Sequence, residues 1–249
     1  MGKIKCIGEI VLRTIYPQTC PVCGRVLDGD LLSIYIETKA PAAKLGSHSR
    51  LICEPCRKKL RLIETKSFKD GKVLFKYEED MRNILFKLKY AHAAQNADFL
   101  GSAMAYHFSD YIKAYDFDAI VPVPLHPARQ RTRGYNQAEL IAKAVSKHVG
   151  VPIRNDIVLR TANTKALKDM NPVQRKNNLK NAFKTTQNVV KLKKILLVDD
   201  IITTKSTIDE IKTCLVRSGV ETVRFLAVSA REDEEEKKRG GTDYGSKEL

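Results

Sequence analysis

The amino-acid sequence predicts an α/β protein, a parallel sheet with flanking helices, preceded by a small N-terminal domain built on four cysteines. The apolar run 195–198 is typical of a strand buried on both faces of a parallel sheet. Other strand patterns alternate with helical ones, and two Cys-x-x-Cys pairs precede them. We expect a metal-binding domain at residues 1–66, an α/β domain at 67–231 and a disordered charged tail at 232–249.

The elements follow from the periodicity of the apolar residues. Strand patterns lie at 73–77, 119–124, 157–159, 195–198 and 223–228. Helical spacing predicts helices at 3–16, 58–64, 80–90, 94–111, 138–148 and 206–218. Gly150 and Gly219 follow two of these helices, as is common at helix ends.

Four of the six cysteines form two closely spaced pairs, Cys20 with Cys23 and Cys53 with Cys56. Two intervening residues let both thiolates of a pair reach one metal ion, and Gly24 allows a tight turn after the first pair. Without a secretory signal, a metal site is favoured over a disulfide framework. We predict a closed, structural zinc site. Rubredoxin-like iron is the alternative, disfavoured because a glycine follows only the first pair.

Two carboxylates follow the apolar run directly. Asp199 and Asp200 lead into a hydroxyl-rich turn at 203–207, and a helix begins near Ser206. Ligands of such sheets bind beyond the carboxyl ends of the strands, where backbone N–H groups and a helix N-terminus can hold a phosphate. The pattern predicts a site for a phosphorylated sugar, with the carboxylates on hydroxyls and the turn on the phosphate.

Basic residues concentrate in two segments. In 125–137, which we interpret as a loop, arginines at alternate positions would share one side and could bind a pyrophosphate or a nucleic-acid backbone. A solvated basic loop is the alternative. Residues 160–194 hold ten Lys or Arg against one acid and predict a mobile lid or a plain surface insertion. The candidate nucleic-acid-binding residues are Arg129, Arg131, Arg133, Lys165, Arg175 and Lys176.

The composition limits the class of protein. A formal net charge of +15 at pH 7 favours a polyanionic partner, although a lysine-rich proteome explains it equally well. Hydrophobic content of 43% and charged content of 29% are ordinary for a globular chain. No run approaches the roughly 18 apolar residues of a membrane span, so we predict a cytoplasmic protein.

Two motifs resemble known families. The apolar run, the two acids and the pattern Thr203-Thr204-x-Ser206-Thr207 resemble the phosphoribosyl-pyrophosphate loop of type I phosphoribosyltransferases. A more specific pattern, together with the cysteine pairs, resembles the ComF (ComFC-like) competence family. It reads Val121-Pro122-Val123-Pro124-Leu125-His126-Pro127…Arg133-Gly134-Tyr135-Asn136-Gln137-Ala138-Glu139-Leu140. The resemblance spans about residues 20–231.

The resemblance implies a type I phosphoribosyltransferase-like sheet behind a zinc-ribbon-like domain. It also implies a role in natural transformation, handling single-stranded DNA on a scaffold that binds phosphoribosyl pyrophosphate. A competence helicase and other DNA-uptake proteins would be partners. Asp199 and Asp200 would meet the ribose hydroxyls as catalytic residues. The residues implied to hold the phosphates, with magnesium carried by the ligand, are Thr203, Thr204, Lys205, Ser206, Thr207, Pro124, Leu125 and His126.

Lys205 departs from the family's Thr-Thr-Gly pattern. If the position needs a positive φ, lysine costs about 1 kcal/mol there, although its ammonium could reach the phosphate instead.

The sequence and the resemblance together suggest three candidate functions. The preferred one is single-stranded DNA handling, with Tyr135 and Phe183 as candidate stacking residues unless they pack in the core. The alternatives are an active phosphoribosyltransferase with an unknown acceptor, and a regulator in which the ligand gates a partner.

Overall fold

A computed structural model describes residues 19–27, 52–60, 68–91, 93–161, 182–203 and 205–231. The helices are α1 (Glu54–Lys59), α2 (Glu79–Tyr90), α3 (Asn96–His107), α4 (Ser109–Tyr115), α5 (Pro127–Arg133), α6 (Gln137–Val149) and α7 (Ser206–Arg217). The strands are β1 (Gly71–Lys76), β2 (Ala119–Pro122), β3 (Val158–Arg160), β4 (Phe183–Thr185), β5 (Lys194–Ile202) and β6 (Thr222–Ala230). The predicted helix at 3–16, the domain boundary at 66, the centre of the basic segment and the tail at 232–249 lie outside these residues.

The main sheet has four strands in the order β1-β6-β5-β2, and every pairing in it is parallel. Ile195, Leu196, Leu197 and Val198 are all fully buried at its centre. A strand covered on both faces needs apolar residues at every position, which is why this run does not alternate. The α/β fold class predicted from the sequence is confirmed. A separate antiparallel pair, β3 with β4, lies outside the main sheet.

The central strand β5 is longer than its apolar run. It continues through both carboxylates to Ile202, with Asp199 opposite Ala227 and Ile201 opposite Ser229 on β6. The two carboxylates therefore lie within the strand, and not beyond its end as the sequence had suggested. Backbone pairing with the equally long β6 extends the strand regardless of the side chains.

Each face of the sheet carries its own apolar core. Leu196 and Val198 join the core formed with α2, α3 and α6. Ile195 and Leu197 join the core formed with α7, β3 and β4. The helices α3 and α6 approach closely at Gly101, where an added Cβ would lie 2.5 Å from the Ala144 Cβ. This contact packs α3 and α6 closely against each other.

Two helix predictions need correction. The helix predicted at 94–111 is two helices, because Phe108 leaves helical geometry at φ −112° and ψ 16°. No glycine or proline marks this break. The helix predicted at 58–64 begins earlier, as α1 at Glu54, with proline in its first turn.

The cysteine pairs pack on the α/β domain. Cys20, Ile52 and Cys56 are buried in the same core as Leu85 and Leu88 of α2. The cysteine segment and the sheet domain therefore share one apolar core. Among the described residues, no helix has the length and apolarity needed to cross a bilayer.

Candidate functional site

The two carboxylates of β5 lie next to each other in sequence but point to opposite faces of the sheet. Successive side chains of a strand alternate, so Asp199 lies on the side of Ile195 and Leu197, and Asp200 on the side of Leu196. The backbone N–H of Asp200 donates to Asp199 Oδ1 at 2.8 Å. The pair therefore places one carboxylate on each face of the sheet and can reach groups from both layers.

Asp200 forms an ion pair with Lys89 of α2. The residue is buried, and its Oδ2 faces Lys89 Nζ. Burial acts to lower the pKa of Lys89, but the charges of Asp200 and Asp199 outweigh it and raise that pKa. Lys89 therefore stays an ammonium that balances one of the two carboxylates.

Asp199 is the member of the pair whose ionised form is disfavoured. Burial raises its pKa well above that of an ordinary aspartate, and the charge of Asp200 raises it further. Arg160 of β3 lies on the same side of the sheet. Burial lowers the pKa of Arg160, the charge of Arg129 lowers it further, and the charge of Asp199 acts to raise it. A buried carboxyl with a strongly raised pKa near the carboxyl end of a strand is typical of functional sites.

The neighbouring strand β2 ends beside these carboxylates. Val123 N–H donates to the Val198 carbonyl at 2.9 Å, which extends the β2–β5 pairing into the segment Pro124–Leu125–His126. Asn136 donates to the Val123 carbonyl at 3.0 Å and caps α6 through Ala138 N–H. The Asn136 bonds hold the half-buried 124–126 segment near the end of β5.

The three alternate arginines do not lie in an extended loop. Residues 127–133 form α5, and His126 Nδ1 accepts the Ala128 N–H at its start. Alternate positions on a helix are about 200° apart, so Arg129 and Arg133 share a side and Arg131 lies opposite. The prediction that all three share one side was wrong, because a proline at the first helical position favours a helix here.

The motif at Arg133–Gln137 ties the site to α2. Arg133 donates to Gln137 Oε1 at 3.0 Å and to the Tyr90 hydroxyl at 3.3 Å, with its guanidinium over the Tyr90 ring. Tyr135 donates to the Leu88 carbonyl at 2.7 Å. These contacts use both side chains for packing. Arg129, by contrast, lies close enough to Arg160 for its charge to lower the pKa of that guanidinium.

The hydroxyl-rich turn leads from β5 into α7. Thr203, Ser206 and Thr207 are half-buried, and Thr204 lies outside the described residues. Lys205 is at φ +55°, the left-handed conformation that glycine adopts most readily. The chain therefore keeps here the backbone geometry suited to glycine, although the residue is lysine.

The Lys205 side chain forms ion pairs away from the turn. Its Nζ lies 2.7 Å from Asp70 Oδ1 and 3.2 Å from Asp209, while Lys212 reaches the other Asp70 oxygen at 2.8 Å. Burial acts to raise the pKa of Asp70, but the two lysines outweigh it and lower that pKa. The idea that the Lys205 ammonium reaches a phosphate does not match this arrangement.

The four paired cysteines come together as predicted. The Sγ atoms of Cys20, Cys23, Cys53 and Cys56 all lie within 4.8 Å of one another, and those of Cys23 and Cys53 are 3.7 Å apart. Four thiolates at about 2.3 Å from a tetrahedral zinc would be about 3.8 Å apart. A backbone bond from Arg25 lowers the pKa of Cys23 to about 7, whereas burial raises that of Cys56. This cluster could hold a metal ion.

The remaining candidates fall into two groups. Phe183 is buried and packs under Arg160, and Tyr135 is hydrogen-bonded to α2, so both take the core roles that had been the alternative to base stacking. The basic residues Lys165, Arg175 and Lys176 lie outside the described residues.

Lys89 and Arg160 were not assigned to the site from the sequence. Arg160 directly follows a predicted strand, a position that could have identified it. Lys89 lies one residue from the buried Leu88 on a helix more than one hundred positions before Asp200, and no spacing marks their contact.

The region around this site is similar to known proteins. The phosphoribosyl transferase domain family matches residues 136–248, which include β5 and the turn. Competence protein F of Haemophilus influenzae is 41% identical over 114 residues, covering 45% of this chain and 50% of that protein. The DNA utilization protein YhgH of Shigella flexneri is 28% identical over 213 residues, covering 82% of this chain and 87% of that protein.

A third relative matches over a similar length. Competence protein ComFC of Bacillus subtilis is 23% identical over 209 residues, covering 84% of this chain and 75% of that protein. The chain thus spans half of the Haemophilus relative and most of the other two. The chain is therefore similar to competence and DNA utilization proteins of the ComFC-like family, and it has a phosphoribosyltransferase-like fold.

Proposed function

We propose that the end of β5 binds phosphoribosyl pyrophosphate and that the chain uses this scaffold to handle single-stranded DNA during DNA uptake. The observation that carries the proposal is the junction from Asp199 and Asp200 through the turn at 203–207 into α7. Carboxylates accept hydrogen bonds from sugar hydroxyls, and a helix N-terminus attracts a phosphate. The side chain of Lys205 makes no capping bond at the start of α7, which is compatible with a phosphate there.

The pyrophosphate end of the ligand would face Pro124, Leu125 and His126 on the neighbouring strand. Arg160 and Arg129 add positive charge on the Asp199 side of the sheet. Magnesium in proteins commonly binds through one or two carboxylates plus substrate phosphates, so an ion carried by the ligand would be compatible with a carboxylate nearby. When bound, such an ion would offset part of the ligand's negative charge.

Calorimetry with phosphoribosyl pyrophosphate tests this assignment. The double substitution Asp199→Asn and Asp200→Asn should weaken binding at least about a hundredfold, because both acceptors lose their charge. The matched control is Asp98→Asn with Asp110→Asn, which removes two exposed carboxylates on α3 and α4 and should leave affinity unchanged. Unchanged affinity in the first double variant would exclude this site.

For DNA, we propose contact along α5 and through the basic residues of 162–181. Binding to a fluorescent oligothymidine should weaken steeply with salt, with a log–log slope of about −0.7 per phosphate contacted. Arg129→Gln should reduce the slope by about one contact. Arg131→Gln, on the opposite side of the same helix, should have less effect. Equal effects of the two variants would argue against a defined DNA path over α5.

A second candidate function is phosphoribosyl transfer to an unknown acceptor. The left-handed geometry of Lys205 favours it, because the turn keeps the backbone conformation that glycine would have. Bond cleavage at the anomeric carbon would release pyrophosphate, which can be measured with candidate acceptors. Lys205→Gly raising this release would show that lysine limits turnover, and release absent from both proteins would favour binding alone.

We also propose that the cysteine cluster holds zinc as a structural ion. Metal analysis should find one zinc per chain, and Cys53→Ser should lose it. Iron in the purified protein would overturn the choice of metal. Loss of the metal should also destabilise the shared core around Cys20 and Cys56, because structural zinc sites contribute directly to folding.

A further inference from the structure

The last turn of α2 lies between the two candidate sites. Lys87 and Lys89 are two residues apart, which places their side chains about 200° apart around the helix. Lys87 faces the cysteine cluster and Lys89 faces Asp200. A single helical turn therefore contacts both the segment that would hold the metal and the carboxylate pair of β5.

On the cysteine side, Lys87 donates to backbone carbonyls between the first two cysteines. Its Nζ lies 3.2 Å from the Val22 oxygen and 3.5 Å from the Pro21 oxygen. These carbonyls belong to the turn that brings Cys20 and Cys23 together. The Lys87 ammonium is therefore bonded directly to the backbone of the cysteine turn.

On the other side, the turn is held against β5. Lys89 is paired with Asp200, and the Leu88 carbonyl accepts the Tyr135 hydroxyl. The end of the helix is closed by the N–H groups of Ala91 and Ala93, which donate to the Lys87 carbonyl. The last turn of α2 is thus bonded both to the cysteine segment and to the residues around the β5 site.

We propose that the last turn of α2 couples the metal site to the β5 site, with Lys89 as the positioning residue for Asp200. The ligand side of this inference rests on the function proposed above. A well-formed cysteine turn holds Lys87, which keeps Lys89 on Asp200 and offsets the repulsion between adjacent carboxylates. Because coupling between two binding sites is reciprocal, the β5 site should also affect how firmly zinc is held.

Three lysine-to-methionine variants test the coupling. Lys87→Met removes the donor to the cysteine turn but keeps most of the apolar stem. Lys89→Met removes the partner of Asp200 without touching the cysteine segment. The matched control, Lys143→Met, breaks an exposed ion pair with Glu139 on α6. Each variant is measured for affinity to phosphoribosyl pyrophosphate by calorimetry and for the rate of zinc transfer to a chromogenic chelator.

The proposal expects effects that cross from one site to the other. Lys87→Met should weaken ligand binding about fivefold, the low end of typical coupling, while still loading zinc. Lys89→Met should speed zinc release about fivefold, and Lys143→Met should change neither quantity. Zinc release from Lys89→Met at the wild-type rate would overturn the coupling, as would unchanged ligand affinity in Lys87→Met.

Failure of the proposed function would be seen separately. If the wild-type protein binds no phosphoribosyl pyrophosphate, the ligand assignment is wrong. The zinc-release comparison of Lys89→Met with Lys143→Met needs no ligand and still decides whether α2 links the two sites. If Lys87→Met loads no zinc, the zinc-release rates of Lys89→Met and Lys143→Met still decide whether α2 couples the two sites.

Discussion

Two buried carboxylate sites flank the turn that follows β5, and their charges are balanced differently. Asp70 is 6% exposed and is held by two lysines, Lys205 and Lys212. Asp200 is 8% exposed and is held by one lysine, Lys89, while Asp199 adds a second carboxylate beside it. The pKa of Asp70 is lowered, whereas that of Asp199 is raised.

The difference separates a structural charge cluster from a candidate binding site. Around Asp70 the lysines outweigh the burial of the carboxylate, so its ionised form is satisfied within the fold. Around Asp199, burial and the adjacent Asp200 outweigh the charge of Lys89 and disfavour the ionised form. A carboxylate disfavoured in this way stabilises the protein less but remains available to a ligand that brings hydrogen-bond donors or a cation.

The largest effect on stability should come from Asp70→Asn. Removing one partner of a buried ion pair is strongly destabilising, and the partial exposure of both lysines reduces the expected loss to about 2 kcal/mol. Chemical denaturation would measure the free energy of unfolding. The control is Glu221→Gln, which breaks an exposed pair with Lys193 and should cost well under about 1 kcal/mol. Equal losses in the two variants would remove the distinction between the Asp70 cluster and a surface pair.

A smaller effect of opposite sign is expected for Asp199→Asn. Because burial and Asp200 disfavour its charge, replacing the carboxylate should leave the free energy of unfolding unchanged or raise it by up to about 1 kcal/mol at neutral pH. The same substitution should weaken ligand binding. A clear loss of stability at neutral pH would show that the Asp199 charge is compensated in the fold after all.

The pH dependence distinguishes the two carboxylates further. The contribution of Asp70, whose folded pKa is lowered, is complete above its unfolded pKa of about 3.9 and is lost as the pH falls through the folded value. The cost of ionised Asp199, whose folded pKa is raised, is present above that folded value and disappears as the pH falls toward about 3.9. As the pH is lowered, the stability advantage of Asp199→Asn should therefore disappear first, and the stability deficit of Asp70→Asn should disappear only at a lower pH.

The same contrast explains what the sequence could and could not predict. The cysteine pairs, the central strand and the turn into α7 are local patterns, with the relevant residues a few positions apart, and each was predicted. Metal-binding cysteines and a phosphate-binding turn depend on short-range spacing, so one stretch of chain carries most of the information. The length of β5 was missed because its last residues are strand only through pairing with β6.

The charges that surround the carboxylates could not be predicted in this way. Lys89 and Asp200 meet only because α2 packs on one face of the sheet, and Lys205 meets Asp70 only because α7 packs on the other. In a helical pattern, a lysine that faces solvent cannot be distinguished from a lysine that pairs with a buried carboxylate. The side shared by the alternate arginines was predicted wrongly for a related reason. Alternate residues lie on one side of an extended loop but on opposite sides of a helix such as α5.

The smallest predicted effect concerns the residue shared by the turn and the Asp70 cluster. Lys205→Gly removes ion pairs worth about 1 kcal/mol at this partly exposed position but relieves about 1 kcal/mol of left-handed strain, so its free energy of unfolding should stay near the wild-type value. Lys205→Met loses the same ion pairs and keeps the strain, so it should be about 1 kcal/mol less stable than Lys205→Gly. Chemical denaturation of the two variants side by side isolates the backbone contribution. Equal stability of glycine and methionine would mean that the positive φ of this turn costs nothing, and that lysine is retained here for its contact with Asp70 alone.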